Sequence, residues 1–155
     1  MKKPLKVIAL VLAVAFIAVQ FYRPDRTNPP VMESETLEAA TQIPENVQAI
    51  LKRSCNDCHS NQTNYPWYSN VSPFSWLLVN HINDGRRHLN LSVWATYDAK
   101  KKHRKLEEIC EQVKMGEMPL NQYLWIHRDA NLSDADRTLL CDWAQTEKNK
   151  ISEQQ

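Results

Sequence analysis

The residues of this chain best placed to do chemistry stand together at Cys55-Asn56-Asp57-Cys58-His59, a C-x-x-C-H pentapeptide. Two thiols at this spacing can each add across a vinyl group of one haem, and the histidine that follows is then placed to bind the iron. Other chemistries use the same residue types. A thioredoxin-like dithiol pair needs C-x-x-C to open a helix after a strand. A structural zinc site can take Cys55, Cys58 and His59, with a fourth ligand from Cys110, Cys141 or a distant histidine. A Cys55–Cys58 disulfide is the plainest alternative in an oxidising compartment. The surrounding elements have to decide.

No stretch alternates apolar and polar residues at period two over strand length, so no strand leads into the motif. Pro44 suits the first turn of a helix, and Val47, Ile50, Leu51 and Ser54 then fall on one face at helical spacing. That helix feeds directly into Cys55. Ser60 to Val71 is polar and aromatic and reads as loop. Ser72-Pro73 looks like an N-cap followed by proline at the first helical position, opening a helix to about Leu89. Asp98 can cap a further helix ending at Gly116, with Leu106, Ile109, Cys110 and Val113 as its buried stripe. Ser133 and Asp136 resemble a capping box with aspartate in the third place. The helix they open turns Leu139, Leu140, Trp143 and Ala144 inward and fades after Lys148. The expected fold is all-α: a bundle of four to five helices over residues 44–149, followed by a polar tail at 150–155. A domain of this size has a thin core, to which a buried haem adds a large apolar surface.

The chain has 155 residues, enough for one domain and a small addition. Nineteen basic against eighteen acidic residues leave a formal charge of +1, no bulk signature for nucleic acid or an acidic substrate. Lys2, Lys3 and Lys6 precede an uncharged, mostly apolar run from Val7 to Tyr22, the order of a signal peptide or signal anchor. Leu5 to Tyr22 just reaches the minimum of about 17 residues for a spanning helix if Lys6 snorkels. The small-x-small site Ala13-Val14-Ala15 lies inside the apolar run, which favours an anchor over a cleaved peptide. Residues 1–22 are therefore expected to anchor the chain in a bacterial inner membrane, with the folded domain on the periplasmic face, where haem is attached to C-x-x-C-H. Residues 23–43 carry Pro24, Pro29 and Pro30, then Glu33, Glu35 and Glu38, and read as a flexible tether.

If His59 binds the iron, a second axial ligand is needed. Met118-Pro119 follows the helix end at Gly116 on an extended segment, and Pro119 stiffens the presentation of Met118. Thioether ligation raises the reduction potential, which suits an electron carrier. Met115 competes but lies within the helix, away from its buried stripe. Phe74, Leu77, Leu78, His81, Gly85 and His88 share one helical face, so His81 or His88 is an alternative distal ligand, with a hydrogen-bonded core histidine as the plainer reading. His103 and His127 sit among charges and are expected to be exposed. Arg86 and Arg87 can pair with haem propionates or stand solvated near a helix end. The run Lys100 to Lys105 is a docking patch for an acidic partner or lipid headgroups, or simply a solvated face. Cys110 and Cys141 lie on the inward faces of two helices, as a disulfide or as two buried thiols.

Cys55 to Trp76 reads CNDCHSNQTNYPWYSNVSPFSW, then HINDGRRHLNLSVW runs from His81 to Trp94, HRKLEEICEQVKMGEMPL from His103 to Leu120, and LSDADRTLLCDWA near the end. This pattern resembles the bacterial haem-binding domain family of small, membrane-anchored c-type cytochromes, over nearly all of residues 44–146. The resemblance implies one covalent haem c, thioether bonds at Cys55 and Cys58, His59 as axial ligand and Met118 as the second. The order of helix, C-x-x-C-H and late methionine is also similar to class I cytochromes c. The aromatic-rich insert from Tyr65 to Trp94, and a folded part whose only glycines are Gly85 and Gly116, depart from that class. The expected function is transfer of single electrons at the periplasmic face by a carrier rather than an enzyme. It has an unidentified redox partner protein, membrane contact through residues 5–22, and no nucleic acid. The alternatives are a haem-based peroxidase or gas or redox sensor with an open sixth position, and a zinc- or disulfide-held interaction module. No distal acid–base pair is identifiable beside the motif.

Overall fold

Ser133 and Asp136 exchange hydrogen bonds at the head of the last helix: the Asp136 N–H donates to Ser133 Oγ (3.1 Å) and the Ser133 N–H to Asp136 Oδ2 (2.9 Å). Asp98 accepts the Lys101 N–H (2.6 Å) at the head of another helix, which Gly116 ends in the left-handed region at φ 73°. The expected caps thus set the boundaries of the two longest helices in the domain. The computed structural model describes residues 2–153. Its helices are α1 (Lys2–Val19), α2 (Leu37–Ala40), α3 (Glu45–Ser54), α4 (Asn56–His59), α5 (Phe74–His88), α6 (Ala99–Met115), α7 (Asn121–Leu124) and α8 (Asp134–Glu153). Short 3₁₀ turns stand at Glu33–Glu35, Trp67–Asn70, Leu91–Thr96 and Arg128–Ala130. Among the described residues there is no strand, so the fold is all-α as expected. The helices outnumber the expected four to five because α2, α4 and α7 are single turns, too short to leave a periodic pattern. Residues 150–153, expected as polar tail, continue α8.

The core lies where α6 and α8 pack along each other and α3 packs against α8. Leu106 and Val113 meet Leu140, Trp143 and Ala144, and Val47, Ile50 and Leu51 close the other side with Leu91 and Trp94. A Cys110–Cys141 disulfide joins α6 to α8. Ile109, Cys110 and Leu139 lie at the margin of this core.

Two sequence expectations change. Residues 23–43 are fastened to the domain: Arg26 Nη1 donates to Ser69 O (3.1 Å), Asn28 Nδ2 to Thr63 O (3.0 Å), and Leu37 is fully buried in the core. Proline and glutamate content suggested a tether, but a single well-placed leucine needs no periodic pattern to be a core residue. α5 also presents a different face. Ser75, Val79, Ile82 and Gly85 are buried, whereas Phe74, Leu77 and His88 of the expected stripe are exposed. Small residues face inward because α5 is drawn tightly onto its neighbours. Ser72 does not cap the helix; its hydroxyl meets Ser75 Oγ (3.1 Å), and Pro73 takes the cap position.

No helix among the described residues is long and apolar enough to cross a membrane. Lys2, Lys3 and Lys6 occupy the start of α1 and leave an uncharged helical stretch of only Val7–Val19. At 1.5 Å per residue this covers about 20 Å of a hydrocarbon layer about 30 Å thick. The spanning anchor expected for residues 1–22 thus falls short on length. The apolar side chains of α1, among them Leu10, Leu12 and Phe16, are exposed.

Burial of Leu37 makes a direct prediction. Leu37→Ala should lower stability by about 2–5 kcal/mol in denaturant unfolding, whereas a residue on a loose tether would leave the midpoint unchanged.

Candidate functional site

α3 delivers the pentapeptide and then breaks. Cys55 leaves helical geometry (φ −126°, ψ −43°), and the chain restarts as the single turn α4, in which the Cys58 and His59 N–H groups donate to Cys55 O (3.1 and 2.9 Å). One turn brings Cys55, Cys58 and His59, spaced i, i+3 and i+4, to one side. α5 lies against the back of this turn. A Cβ on Gly85 would stand 2.5 Å from Cys58 O, so only glycine permits the approach. The neighbour that the missing side chain admits is the α4 backbone.

That approach decides the state of His59. Its Nδ1 lies 3.1 Å from both Gly85 O and Leu89 O. Both partners are carbonyl oxygens and can only accept, so Nδ1 carries the proton and Nε2 keeps its lone pair. Burial lowers the His59 pKa, so the ring is neutral at pH 7. A neutral imidazole with its ring fixed and Nε2 open is the form that binds a metal.

The thiols are equally informative. Cys110 and Cys141 are oxidised to a disulfide, while Cys55 and Cys58 remain unpaired. Burial, reinforced by neighbouring Cys58, pushes the Cys55 thiol to about 12; burial and Asp57 push Cys58 to about 11. Reactive dithiol pairs have lowered pKa values, so the electrostatics here oppose thioredoxin-like chemistry. The zinc reading loses Cys110 and Cys141, whose sulfurs are bonded to each other. Among the described residues no group of three or more His, Cys, Asp or Glu is arranged to hold a metal ion. Two neutral thiols beside an open imidazole nitrogen fit an iron porphyrin with vinyl groups, which supplies the other ligands itself.

Polar contacts secure the loop beyond the motif. Arg86 Nε donates to Ser60 O (2.8 Å), and its Nη2 reaches Asn28 Oδ1 (2.7 Å) and Thr63 Oγ1 (2.8 Å). The Thr63 hydroxyl donates to Asp57 O (2.6 Å). Arg86, expected to face a propionate, thus spends three donor contacts on the protein, and Arg87 pairs with Asp84 at the surface. Met118 is half-buried and packs on the core, while Met115 is 68% exposed. His81 is half-buried and His88 exposed on α5. In the basic run Lys101 covers the Tyr97 ring at 3.6 Å, Lys102 Nζ donates to Ala95 O (3.4 Å), and Lys105 is buried and paired with Glu108. Most of that run is therefore engaged within the domain rather than presented as an open patch.

His103 and His127, both expected to be exposed among charges, are half-buried. His127 Nε2 meets the Tyr68 hydroxyl (2.8 Å) and its ring stacks on Tyr123 (4.2 Å, 10°). The Tyr123 hydroxyl donates to Asp57 Oδ2 (2.8 Å), inside the pentapeptide. Nothing in the local sequence pairs Asp57 with a tyrosine 66 residues away; only the fold does.

The contact at Gly85 carries a prediction. Gly85→Ala must push α5 off the Cys58 carbonyl and loosen both hydrogen bonds to His59. The expected cost is about 1–3 kcal/mol in denaturant unfolding, with a reduced yield of haem-loaded protein. Unchanged stability and loading would contradict the tight approach.

No curated protein and no solved structure matches the chain. The family model described as a haem-binding domain matches residues 14–146, which include the whole pentapeptide, Gly85, Leu89 and Met118. By that match, and by a site whose thiols and imidazole suit the same cofactor, the chain belongs to the haem-binding domain family.

Proposed function

We propose that this protein is a c-type cytochrome that carries one haem bonded to Cys55 and Cys58 and passes single electrons between protein partners. The observation that carries the reading is the His59 tautomer: Gly85 O and Leu89 O hold the Nδ1 proton and leave Nε2 to the iron, directly beside two unpaired thiols. When bound, the haem supplies a one-electron iron couple. The chain supplies the rest. Two carbonyl acceptors on Nδ1 fix the ring plane and raise the basicity of Nε2. Arg86 and Thr63 keep the turn rigid, so its ligands do not reorganise when the charge on the iron changes. Met118 is the proposed sixth ligand; its half-buried position suits a thioether better than the exposed Met115 does, and thioether ligation favours a high potential.

Lysines at the head of an apolar helix favour export, and the Cys110–Cys141 disulfide suits an oxidising compartment such as the periplasm. Residues 5–22 expose apolar side chains that lipid would cover, which supports attachment at the membrane surface without requiring a full span. The redox partner is a protein that meets the domain near the haem edge.

Co-expression with haem-attachment machinery tests this reading. The protein should keep a red band through denaturing electrophoresis, and Cys55→Ala with Cys58→Ala should abolish it. In the oxidised protein Met118→Ala should remove the methionine–iron charge-transfer band, and Met115→Ala should leave it. A colourless wild type overturns the haem assignment. Rapid carbon monoxide binding by the reduced protein would replace the carrier reading with an open-site sensor or peroxidase.

A further inference from the structure

Met118 stands between two attachments. On one side Gly116 turns the chain and the Met118 N–H reaches Gln112 O at 3.3 Å. On the other, Arg53 Nε and Ser54 Oγ hold Asp129 O (3.1 Å) and Ala130 O (2.9 Å). The stretch between them is lightly built: α7 is a single turn with no side-chain cap, and Trp125 and Ile126 beyond it are exposed. Its midpoint is nevertheless fastened. The Tyr123 hydroxyl donates to Asp57 Oδ2 at 2.8 Å, its ring lies flat on His127, and His127 Nε2 pairs with the Tyr68 hydroxyl. Asp57 is itself fixed, since Oδ1 accepts the Asn64 N–H (3.1 Å) and its carbonyl accepts the Thr63 hydroxyl. The carboxylate therefore moves with the same helical turn that carries Cys58 and His59.

We infer that the Asp57–Tyr123 hydrogen bond, backed by the His127–Tyr68 pair, holds the Met118 segment closed over the haem peptide, which makes Asp57 and Tyr123 positioning residues for the sixth ligand. This rests on the reading of Met118 as that ligand. The physical argument concerns local concentration. A thioether is a soft, uncharged donor and binds oxidised iron weakly, so it stays bound only if the chain returns it faster than a competitor arrives. A charge-assisted hydrogen bond between the Met118 segment and the turn that would hold the haem restricts the open states of that chain. Burial and the facing Asp57 raise the Tyr123 pKa, so the phenol remains a donor at neutral pH.

Imidazole binding to the oxidised, haem-loaded full chain tests the inference. Tyr123→Phe keeps the ring and its stack on His127 but removes the donor; Asp57→Ala removes the acceptor. Each should weaken the methionine–iron band and accelerate imidazole entry by about tenfold, the ratio expected for loss of one hydrogen bond to a charged group. Asp57→Asn, which keeps one acceptor oxygen but loses the charge and the second acceptor, should fall between wild type and Asp57→Ala. Wild-type bands and rates in both Tyr123→Phe and Asp57→Ala overturn the clasp. The Met118→Ala control separates the two ideas: if it leaves the band and the imidazole rate unchanged, the ligand reading fails and the clasp with it. If it removes the band while Tyr123→Phe and Asp57→Ala behave as wild type, only the clasp fails. Should Tyr123→Phe not fold, the Asp57→Ala and Asp57→Asn pair decides alone.

Discussion

The structure depends on one close contact, the seating of α5 on the helical turn of the pentapeptide. Gly85 has no Cβ, so its backbone comes against the Cys58 carbonyl, and from that position Gly85 O and Leu89 O both accept from His59 Nδ1. Buried imidazoles need a partner for their N–H. Supplying two at once on the same nitrogen fixes the tautomer, the ring plane and the direction of the remaining lone pair. Every functional statement about the site follows from that lone pair being open.

The remaining elements protect this contact. α3 packs on α8 and carries Cys55 at its end, so the first thiol is positioned by the core. Arg86, one residue beyond Gly85, joins the N-terminal segment at Asn28 to the loop at Ser60 and Thr63. The disulfide and the α6–α8 packing supply a base from which the Met118 segment departs. The domain thus separates a rigid side, built on α4 and α5, from a more lightly held side beyond Gly116. That asymmetry suits the proposed assignment of His59 to the rigid side and Met118 to the lightly held one.

Much of this was legible in the sequence because it is local. Capping at Asp98, Gly116, Ser133 and Asp136 depends on residues within one turn of each other, and the stripes of α3, α6 and α8 repeat at helical period. The pentapeptide is five consecutive residues with one dominant chemistry. What the sequence concealed is set by tertiary contact. Leu37 is a lone apolar residue in a polar stretch, and its burial depends on a surface built elsewhere. The face of α5 was misread because hydrophobicity pointed to Phe74 and Leu77, whereas small size at Ser75 and Gly85 decided which side could come close. Arg86 looked free because its acceptors, Asn28, Ser60 and Thr63, are distant in sequence. The α1 segment had the composition of an anchor, but its lysines leave too short an uncharged helix to span.

A covalent haem on Cys55 and Cys58, with His59 bound to its iron, changes the mass of the chain. Mass spectrometry of the denatured protein, purified from cells with haem-attachment machinery, reads that change. The expected result is a chain heavier by one haem, with the added mass confined to the peptide containing Cys55 and Cys58. A chain at its unmodified mass, with haem absent or released on denaturation, would contradict it.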